Sequence, residues 1–302
     1  MNTVRWIGFI LLANAAFERP LEAQQFEEAA KLFQETKARA EQGDPKAQST
    51  LGDFFLKGQG VVKDFTEAVK WYRKAAEQDN ALAQRNLGLR YSKGEGVEKD
   101  YSEAIKWYRK AAEHQDAGAE HNLGFAYFHG YGVPIDYVEA RRWYLKAAEQ
   151  NLSTAQYNLG LMYFEGQGGG KNCTEAVKWF RRAAEQGHSG AQTWLGQCYR
   201  KGDGVLKDAV EAVRWYRQAA EQGNASAQAL LGTCYAQAVG VVKDDIQAYQ
   251  WLSLALAQGY EPAKQGLSAC ERRMTTEQLT KAQRLVREFT PRKTPASDSP
   301  AH

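Results

Sequence analysis

The feature that most constrains this chain is a pattern that returns every 36 residues, without insertion or deletion, from about residue 45 to about residue 262. Each unit opens on a small residue, has a Leu-Gly pair four residues later and carries a Trp in its second half. The opening residues are Ala47, Ala83, Ala119, Ala155, Ala191 and Ala227, with a partial seventh unit at Ala263. Because self-similarity at such a period is typical of stacked repeats, one unit can be interpreted and the result applied to all six.

The unit that opens at Ala83 predicts two helices joined by a turn. Ala83, Leu87 and Tyr91 are four residues apart, so they share one face of a first helix, which Gly94 then ends. Asp100 marks the start of a second helix, because a carboxylate at this position accepts the free backbone N–H groups of the first turn. The second helix has an apolar stripe of its own. One hairpin of this size cannot bury both stripes, whereas stacked hairpins can.

The sequence therefore predicts an all-α fold, an α-solenoid of stacked helix-turn-helix hairpins with a 36-residue period. The Gly of each Leu-Gly pair costs about 1 kcal/mol relative to Ala inside a helix. Its return in every unit predicts a close approach of two helices, with a facing Trp or Tyr filling the space. Six of the eight Trp residues fall in one phase, which assigns them to the framework of the repeat.

The unit, A-x-A-Q-x-x-L-G-x-x-Y-x-x-G-x-G-V-x-x-D-x-x-E-A-x-x-W-Y-x-K-A-A-E-Q-G, resembles the Sel1-like repeat, a relative of the tetratricopeptide repeat. The resemblance covers roughly 220 of the 302 residues. It implies a scaffold or adaptor protein that binds a protein segment in a concave groove, and by analogy with other helical-hairpin arrays it implies a right-handed solenoid. Some relatives carry a disulfide in each repeat, with Cys residues eight apart, and are associated with penicillin binding or β-lactam hydrolysis. This chain lacks that pairing.

The two ends of the chain depart from the repeat. Residues 1–23 contain a short apolar run, WIGFILLANAAF, and predict a signal peptide cleaved near Ala23, with Ala13-Asn14-Ala15 as a second site and an uncleaved anchor as the alternative. Residues 24–44 predict an N-terminal capping helix and residues 263–290 a partial repeat and a capping helix that starts with Thr as its cap. Residues 291–302 predict a disordered tail. With the resemblance, the leader implies a periplasmic or secreted bacterial protein.

Composition sets further bounds on function. The formal net charge is +3, which is too small to require a nucleic-acid or membrane partner, and no later apolar run is long enough to span a bilayer. Cys198, Cys234 and Cys270 are 36 residues apart, and equivalent stacked helices lie about 8–10 Å apart, beyond the roughly 7 Å Cα reach of a disulfide. We therefore interpret these cysteines as small, semi-buried residues.

No constellation for chemistry stands out from the repeat. The run from Gly166 to Lys171 follows a helix instead of a strand, and Asn172 stands where a phosphate loop needs Ser or Thr. His121 and His129 are eight residues apart, about 12 Å along a helix, which is too far for one zinc ion. No nucleophile with a base is separable from background. The sequence predicts no enzyme, no cofactor and no metal.

A basic ridge runs along the second helices, and its residues have two interpretations. They form a solvated outer face, partly neutralised by Glu77, Glu113, Glu149, Glu185 and Glu221, or they bind an acidic surface. The ridge consists of Lys70, Arg73, Lys74, Lys106, Arg109, Lys110, Arg142, Lys146, Lys178, Arg181, Arg182, Arg214 and Arg217.

The best candidate for partner binding is the set of first-helix positions that vary while the framework repeats. We expect these positions to face the concave groove, and aromatic and Arg side chains there are typical of binding hot spots. The predicted partner-binding residues are Arg85, Asn86, Leu89, His121, Asn122, Phe125, Tyr157, Asn158, Leu161 and Trp194. Within this set, the three Asn residues would stack as an amide ladder that either grips an extended peptide or bonds between adjacent helices.

These observations predict a non-catalytic protein–protein interaction scaffold of the bacterial envelope, with an unidentified protein as its partner. Two alternatives stay open. One is an enzyme of cell-wall or β-lactam chemistry, and the other is a regulator that holds the outer domain of a membrane sensor.

Overall fold

The computed structural model describes residues 21–292 of the chain, with side chains described from residue 27 onward. Between these limits the chain forms fifteen α-helices and no strand. This confirms the predicted all-α solenoid of stacked hairpins. The helices are α1 (Leu21–Glu41), α2 (Pro45–Lys57), α3 (Phe65–Ala76), α4 (Ala81–Lys93), α5 (Tyr101–Glu113), α6 (Ala117–His129), α7 (Tyr137–Glu149), α8 (Ser153–Glu165), α9 (Cys173–Glu185), α10 (Ser189–Lys201), α11 (Ala209–Glu221), α12 (Ala225–Gln237), α13 (Asp245–Ala257), α14 (Ala263–Glu271) and α15 (Thr276–Glu288).

The two helices of each hairpin meet where the first helix carries its Gly. A Cβ on Gly124 in α6 would lie 2.7 Å from Cδ1 of Tyr144 in α7, so only Gly allows this ring to lie against the helix. The same contact recurs in every unit, with Phe180 and Leu252 replacing Tyr in the fourth and sixth. The predicted close approach is therefore confirmed, although Trp is not the residue that fills the space.

The Trp residues instead join one unit to the one before it. Trp107 of α5 packs against the core formed by α3 and α4, and Trp143 of α7 packs against the core formed by α5 and α6. Each core is built around fully buried Leu and Ala side chains, such as Leu87 and Ala83. Successive cores therefore connect into one hydrophobic column, as the nearest-neighbour interfaces of a solenoid require.

A ladder of buried amides runs beside this column. The Nε2 group of Gln84 donates to the carbonyl of Ala76 at 3.1 Å, and the equivalent Gln residues of four other units make the same bond to the residue eight positions earlier. A second Gln, at the end of a neighbouring second helix, donates to the ladder amide; Gln186 bonds to Oε1 of Gln156 at 2.7 Å. Glu120 takes the ladder position in the third unit and is 4% exposed.

The turns have strict backbone requirements. Gly132 has a φ of 73°, and a Cβ there would lie 2.6 Å from the carbonyl oxygen of Tyr101 in the preceding unit. Only Gly lets the loop of one hairpin rest on the first turn of the previous second helix in this way. The N-cap Asp of the second helix bonds two backbone N–H groups, as Asp136 does with Val138 and Glu139, which confirms the predicted helix starts.

Further helices cover both ends of the array. α1 packs against α2, and α15 begins with a capping box in which the Thr275 hydroxyl accepts from the Gln278 N–H and the Gln278 side chain accepts from the Thr275 N–H. The Arg292 N–H bonds to the Glu221 carbonyl. α1 begins at Leu21, so the predicted cleavage junction after Ala23 falls in its first turn. The rest of the predicted leader, and the tail beyond Arg292, lie outside the described residues.

Between Leu21 and Arg292, no helix combines the length and apolar character that a membrane span needs.

Candidate functional site

A cavity of about 760 Å³ opens across the first helices of the second, third and fourth units. We call it the groove. Its walls come from α4, α6 and α8, from α5, from Tyr144 of α7, from the loops that follow α6 and α8, and from His188 before α10. The lining residues are Leu89, Ser92, Lys93, Tyr101, Ala104, Ile105, Tyr108, His121, Asn122, Phe125, Ala126, Phe128, His129, Tyr131, Tyr144, Thr154, Tyr157, Asn158, Leu161, Glu165, Gln167 and His188.

One wall of the groove is a cluster of rings. Tyr131 stacks on Tyr101, with ring centroids 4.8 Å apart and planes 7° apart, and its ring centroid also lies 5.5 Å from that of His129. Phe125 lies 4.3 Å from His129 and 5.8 Å from Tyr131, and Phe128 contacts His129 at 4.9 Å. These rings bury one another only in part, since Tyr131 keeps 38% of its surface exposed. The cluster is a rigid apolar surface of the kind that interface anchors use.

A second ring pair lines the groove at α8. Tyr157 of α8 stacks on His188, with centroids 4.6 Å apart. His188 is the N-cap of α10, and its Nδ1 accepts from the N–H of Ala191 at 3.1 Å. An accepting Nδ1 requires the proton to be on Nε2, so the cap fixes the tautomer of this ring.

Two of the three histidines that line the groove, His129 and His188, favour the neutral form. Burial lowers the pKa of His188 below its ordinary value, and the same cause lowers the pKa of His129. The rings of His129 and His188 are therefore mainly uncharged at neutral pH, and Lys93 and Glu165 are the Lys, Arg, Asp and Glu side chains in the lining. An uncharged aromatic wall favours apolar and aromatic groups over isolated ions.

Seven of the ten predicted partner-binding residues line the groove, namely Leu89, His121, Asn122, Phe125, Tyr157, Asn158 and Leu161. The other three lie elsewhere. Arg85 forms an ion pair with Asp116, with Nη1 3.2 Å from Oδ1. Asn86 donates to Oδ1 of Asp53 at 3.5 Å. Trp194 stacks on Phe180 with centroids 5.9 Å apart, so it contributes mainly to the packing of the fourth and fifth units.

The three Asn residues of the predicted amide ladder do not bond to one another. Asn86 bonds to Asp53, and the Nδ2 group of Asn158 lies 3.1 Å from Nε2 of His121. Both bonds join neighbouring units, which fits the second interpretation of this ladder. Asn122 makes no hydrogen bond with another described residue through its side chain, so its amide remains free to meet a ligand in the groove.

Several lining residues were not predicted from the sequence. Tyr131 follows the end of α6, Tyr101 is the first residue of α5, and His188 precedes α10, whereas the prediction considered only positions within first helices. One signal was present. The position of Tyr131 is polar or aliphatic in the other units, occupied by Gln59, Glu95, Gln167, Asp203 and Val239, so an aromatic residue there departs from the pattern.

The basic ridge turns out to be fully engaged within the array. Its residues fall into three classes, represented in one unit by Lys178, Arg181 and Arg182. Lys178 pairs with Glu175 at 2.6 Å, Arg181 donates to the Tyr199 hydroxyl at 2.7 Å, and Arg182 lies 4.6 Å above the ring of Trp179. The acidic partners are the glutamates at the start of each second helix, not the predicted ones at its end. The structure thus supports the interpretation as an outer framework face.

The remaining candidates for chemistry also have structural roles. Gly166 is the left-handed C-cap of α8, so the glycine-rich run is a hairpin turn. All four cysteines are free, and three are buried. Burial raises the pKa of Cys198 to about 12 and that of Cys234 to about 11, which keeps these thiols protonated at neutral pH. No group of three His, Cys, Asp or Glu side chains suited to a metal occurs among the described residues.

The fold and this site define a class, the α-solenoids built from two-helix repeats, in which neighbouring first helices form a groove. Within that class the family is clear, because the model of the Sel1 repeat matches six consecutive units of the chain, at residues 45–80, 81–116, 117–152, 153–188, 189–224 and 225–260. The chain belongs to the Sel1 repeat family, whose fold typically serves as a protein–protein interaction scaffold.

Three solved structures are similar to this chain. A Sel1 repeat protein from Oxalobacter formigenes is 38% identical, with a TM-score of 0.69, over 78% of this chain and 94% of that one. The protein c5321, a protective antigen present in uropathogenic Escherichia coli strains, is 30% identical over 89% of this chain and 76% of its own, with a TM-score of 0.39. The immunity protein Pa5087 from Pseudomonas aeruginosa is 23% identical over 72% and 83%, with a TM-score of 0.44. Comparison with curated proteins gives no match.

Proposed function

We propose that this protein is a non-catalytic scaffold that binds a segment of a partner protein in the groove between α4, α6 and α8. The observation that carries the proposal is the ring-lined cavity of about 760 Å³, placed where the repeating framework is interrupted by residues that differ from unit to unit. The partner-binding residues in this proposal are Leu89, Asn122, Phe125, Tyr157, Asn158 and Leu161.

The chemistry of the groove supports a polypeptide ligand. Rings and Leu side chains supply apolar contact area, and Tyr and His rings lose little conformational entropy on binding because they have two side-chain torsions. Asn122 offers both an amide donor and an acceptor, which can bond to an extended backbone. A few polar groups in a largely apolar cleft are typical of sites that bind one defined segment.

The predicted leader supports a location in the bacterial envelope, either periplasmic or secreted, and we include that location in the proposal. A role as a regulator of a membrane sensor's outer domain is one form of the same function. It would use the same groove and differ only in the identity of the partner.

A peptide-display selection tests the proposal. A library of twelve-residue peptides is selected on residues 24–302, and the recovered peptides are measured by fluorescence anisotropy on this chain and on the double variant Phe125→Ala, Tyr157→Ala. We expect saturable binding to the parent chain and a loss of at least tenfold on the double variant.

The matched control is Lys178→Ala on the outer ridge, which should bind as the parent does. Equal binding by all three proteins would place the site outside the groove and contradict the proposal. A β-lactam turnover assay on the parent chain provides the second check, because activity above buffer would contradict the non-catalytic role.

A further inference from the structure

Three residues occupy the same position in consecutive units of the groove. Lys93, His129 and Glu165 are each the last residue of a first helix, in α4, α6 and α8, and all three line the cavity. Because equivalent positions of stacked hairpins repeat along the array, the three side chains form a row that crosses the groove. Along this row the side-chain charge changes from positive at Lys93 to neutral at His129 and negative at Glu165. We call it the terminal row.

Glu165 is the exception in this row. The equivalent residues in the other units are Lys57, Lys201 and Gln237, so an acid at this position occurs only in the fourth unit. Its neighbour Tyr157 lies close enough for the Glu165 charge to contribute to the raised pKa of the Tyr157 hydroxyl, a shift caused mainly by burial. Glu165, Tyr157 and His188 all line the groove, so the carboxylate adds its charge to the part of the cavity that contains the ring pair.

Neither charged member of the terminal row has an ion-pair partner among the described residues. Other charges near the groove do: Arg85 pairs with Asp116, and Arg90 pairs with Glu95. Lys171, close to Glu165 in sequence, lies 4.9 Å from the ring centroid of Phe164 instead of pairing with that carboxylate. The ends of the row are thus two opposite charges that the array leaves available.

We infer that the groove binds an extended protein segment with an apolar, aromatic-containing centre, one acidic residue that meets Lys93 and one basic residue that meets Glu165. The inference rests on the proposed function and specifies the chemistry of the partner. The centre of the segment lies against Phe125, Tyr131 and Tyr157, and its two charges mark the edges of the site.

The geometry of stacked helices fixes the spacing of those charges. Neighbouring equivalent helices lie about 8–10 Å apart, so two steps from α4 to α8 span up to about 20 Å. An extended chain advances about 3.3 Å per residue. The acidic and basic residues of the bound segment are therefore about six positions apart.

The mixed polarity of the terminal row argues against a partner of one charge. A nucleic acid or an anionic bilayer would be attracted by Lys93 and repelled by Glu165, and the ring wall between them is neutral. A segment with one charge of each sign satisfies both ends at once.

Defined peptides test this inference. The probes are fluorescein-labelled DALFLAK, its like-charge forms DALFLAD and KALFLAK, and the shortened DLFLK, all with a neutral C-terminal amide. They are titrated against the parent chain and the variants Lys93→Glu and Glu165→Lys at low salt. Unchanged helicity and unfolding midpoint first establish that each variant is folded.

The parent chain should bind DALFLAK most tightly, by about threefold over each other probe, because exposed ion pairs contribute modestly. Lys93→Glu should then favour KALFLAK, and Glu165→Lys should favour DALFLAD. These preferences should vanish at 1 M salt, where the screening length is about 3 Å. The preferences of the two variants do not depend on the direction in which the peptide binds, because KALFLAK and DALFLAD each carry the same charge at both ends.

Two results would overturn the inference. If all probes bind with the same ranking to the parent and both variants, the terminal row does not select charge. If no probe shows saturable binding to the parent at 1 mM, a segment of this chemistry is not the ligand. Either result leaves the proposed function to its own test, because peptides from the unbiased library still bind the parent and lose affinity on the Phe125→Ala, Tyr157→Ala variant if the groove is the site.

Discussion

The outer ridge and the groove use similar residue types in opposite ways. On the ridge, every basic side chain that the sequence singled out has a partner, and the same three contacts return in unit after unit: an ion pair to a helix-start Glu, a bond to a Tyr hydroxyl, and a cation over a Trp ring. In the groove, Lys93 and Glu165 have no ion-pair partner within the described residues. The ridge charges are paired within the array, whereas these two groove charges are left for a ligand.

The same contrast applies to aromatic residues. Tyr144 and its equivalents are buried against a Gly of the first helix and belong to the framework. Tyr131 has no aromatic equivalent in the other units and stays partly exposed. In a repeat protein, departure from the pattern is therefore a better indicator of a binding residue than residue type.

Among the substitutions that test this contrast, Tyr144→Ala should cause the largest loss of stability. Tyr144 is 2% exposed, and its loss leaves a cavity against Gly124. We expect the free energy of unfolding to fall by about 3–5 kcal/mol, the usual cost of removing a buried aromatic ring. Urea unfolding followed by circular dichroism measures it. A decrease below about 1 kcal/mol would mean that the Gly–Tyr contact does not hold the hairpin together.

The substitution in the groove that corresponds to Tyr144→Ala is Phe125→Ala, at the residue that follows Gly124. Phe125 is partly buried, packs within the ring cluster and contacts the core around Tyr144 without being fully enclosed by it. Its substitution should weaken binding of a library-selected peptide by about tenfold, as loss of an interface anchor does, with a smaller loss of stability than Tyr144→Ala. Anisotropy and urea unfolding on one preparation give both values. Equal binding by parent and variant would remove Phe125 from the site.

Most of the fold could be predicted from the sequence because its determinants are local and repeated six times. The Leu-Gly pair, the N-cap Asp and the loop Gly each act within a few residues, so the period identifies them. The identity of the residue that packs against this Gly could not be predicted in the same way. Trp and Tyr are adjacent in each second helix, and the choice depends on how two helices cross, which the period does not encode.

Fewer of the groove-lining residues could be predicted from the sequence, for a related reason. Helical phase indicates which side of a first helix faces the groove, and this placed Phe125, Tyr157 and Leu161 in the lining. It does not indicate which loops reach the same cavity. Tyr131 enters the groove because Gly132 rests on the backbone of Tyr101, a contact between two units. The hydrogen-bond partners of Asn86 and Asn158 could not be named for the same reason, because they are side chains of neighbouring units whose distances the sequence does not give.

A third prediction concerns Glu120, the one acid in the buried amide ladder. Its carboxylate accepts from Nε2 of Gln150 at 2.7 Å but, when ionised, cannot donate to a carbonyl as the Gln residues of the other units do. Burial is the main cause that raises its pKa above the ordinary 4.5, Asp116 and Glu149 add to it, and Gln150 and Lys146 oppose it. Glu120→Gln keeps the acceptor, restores the donor and should stabilise the fold by about 1 kcal/mol at pH 7.

The pH dependence gives this prediction its sign. A carboxyl whose pKa is raised on folding binds protons more tightly in the folded state, so the contribution of Glu120 to stability falls as the pH rises through and above 4.5. The advantage of Glu120→Gln should therefore be small at pH 4 and full at neutral pH, measured by urea unfolding at both. A gain that is the same at both pH values would contradict the role of ionisation. Gln156→Glu is the matched control and should lose stability at pH 7.

The smallest effect should come from the ridge itself. Lys178 pairs with Glu175 at 2.6 Å, but its side chain is 62% exposed, so water and salt screen the pair. Lys178→Ala should change the free energy of unfolding by about 0.3 kcal/mol, typical of an exposed pair one helical turn apart, and should leave peptide affinity unchanged. Urea unfolding and anisotropy on the same protein give both numbers. A clear loss of peptide affinity would show that a paired, repeating charge also recruits the ligand, and the distinction between ridge and groove would then fail.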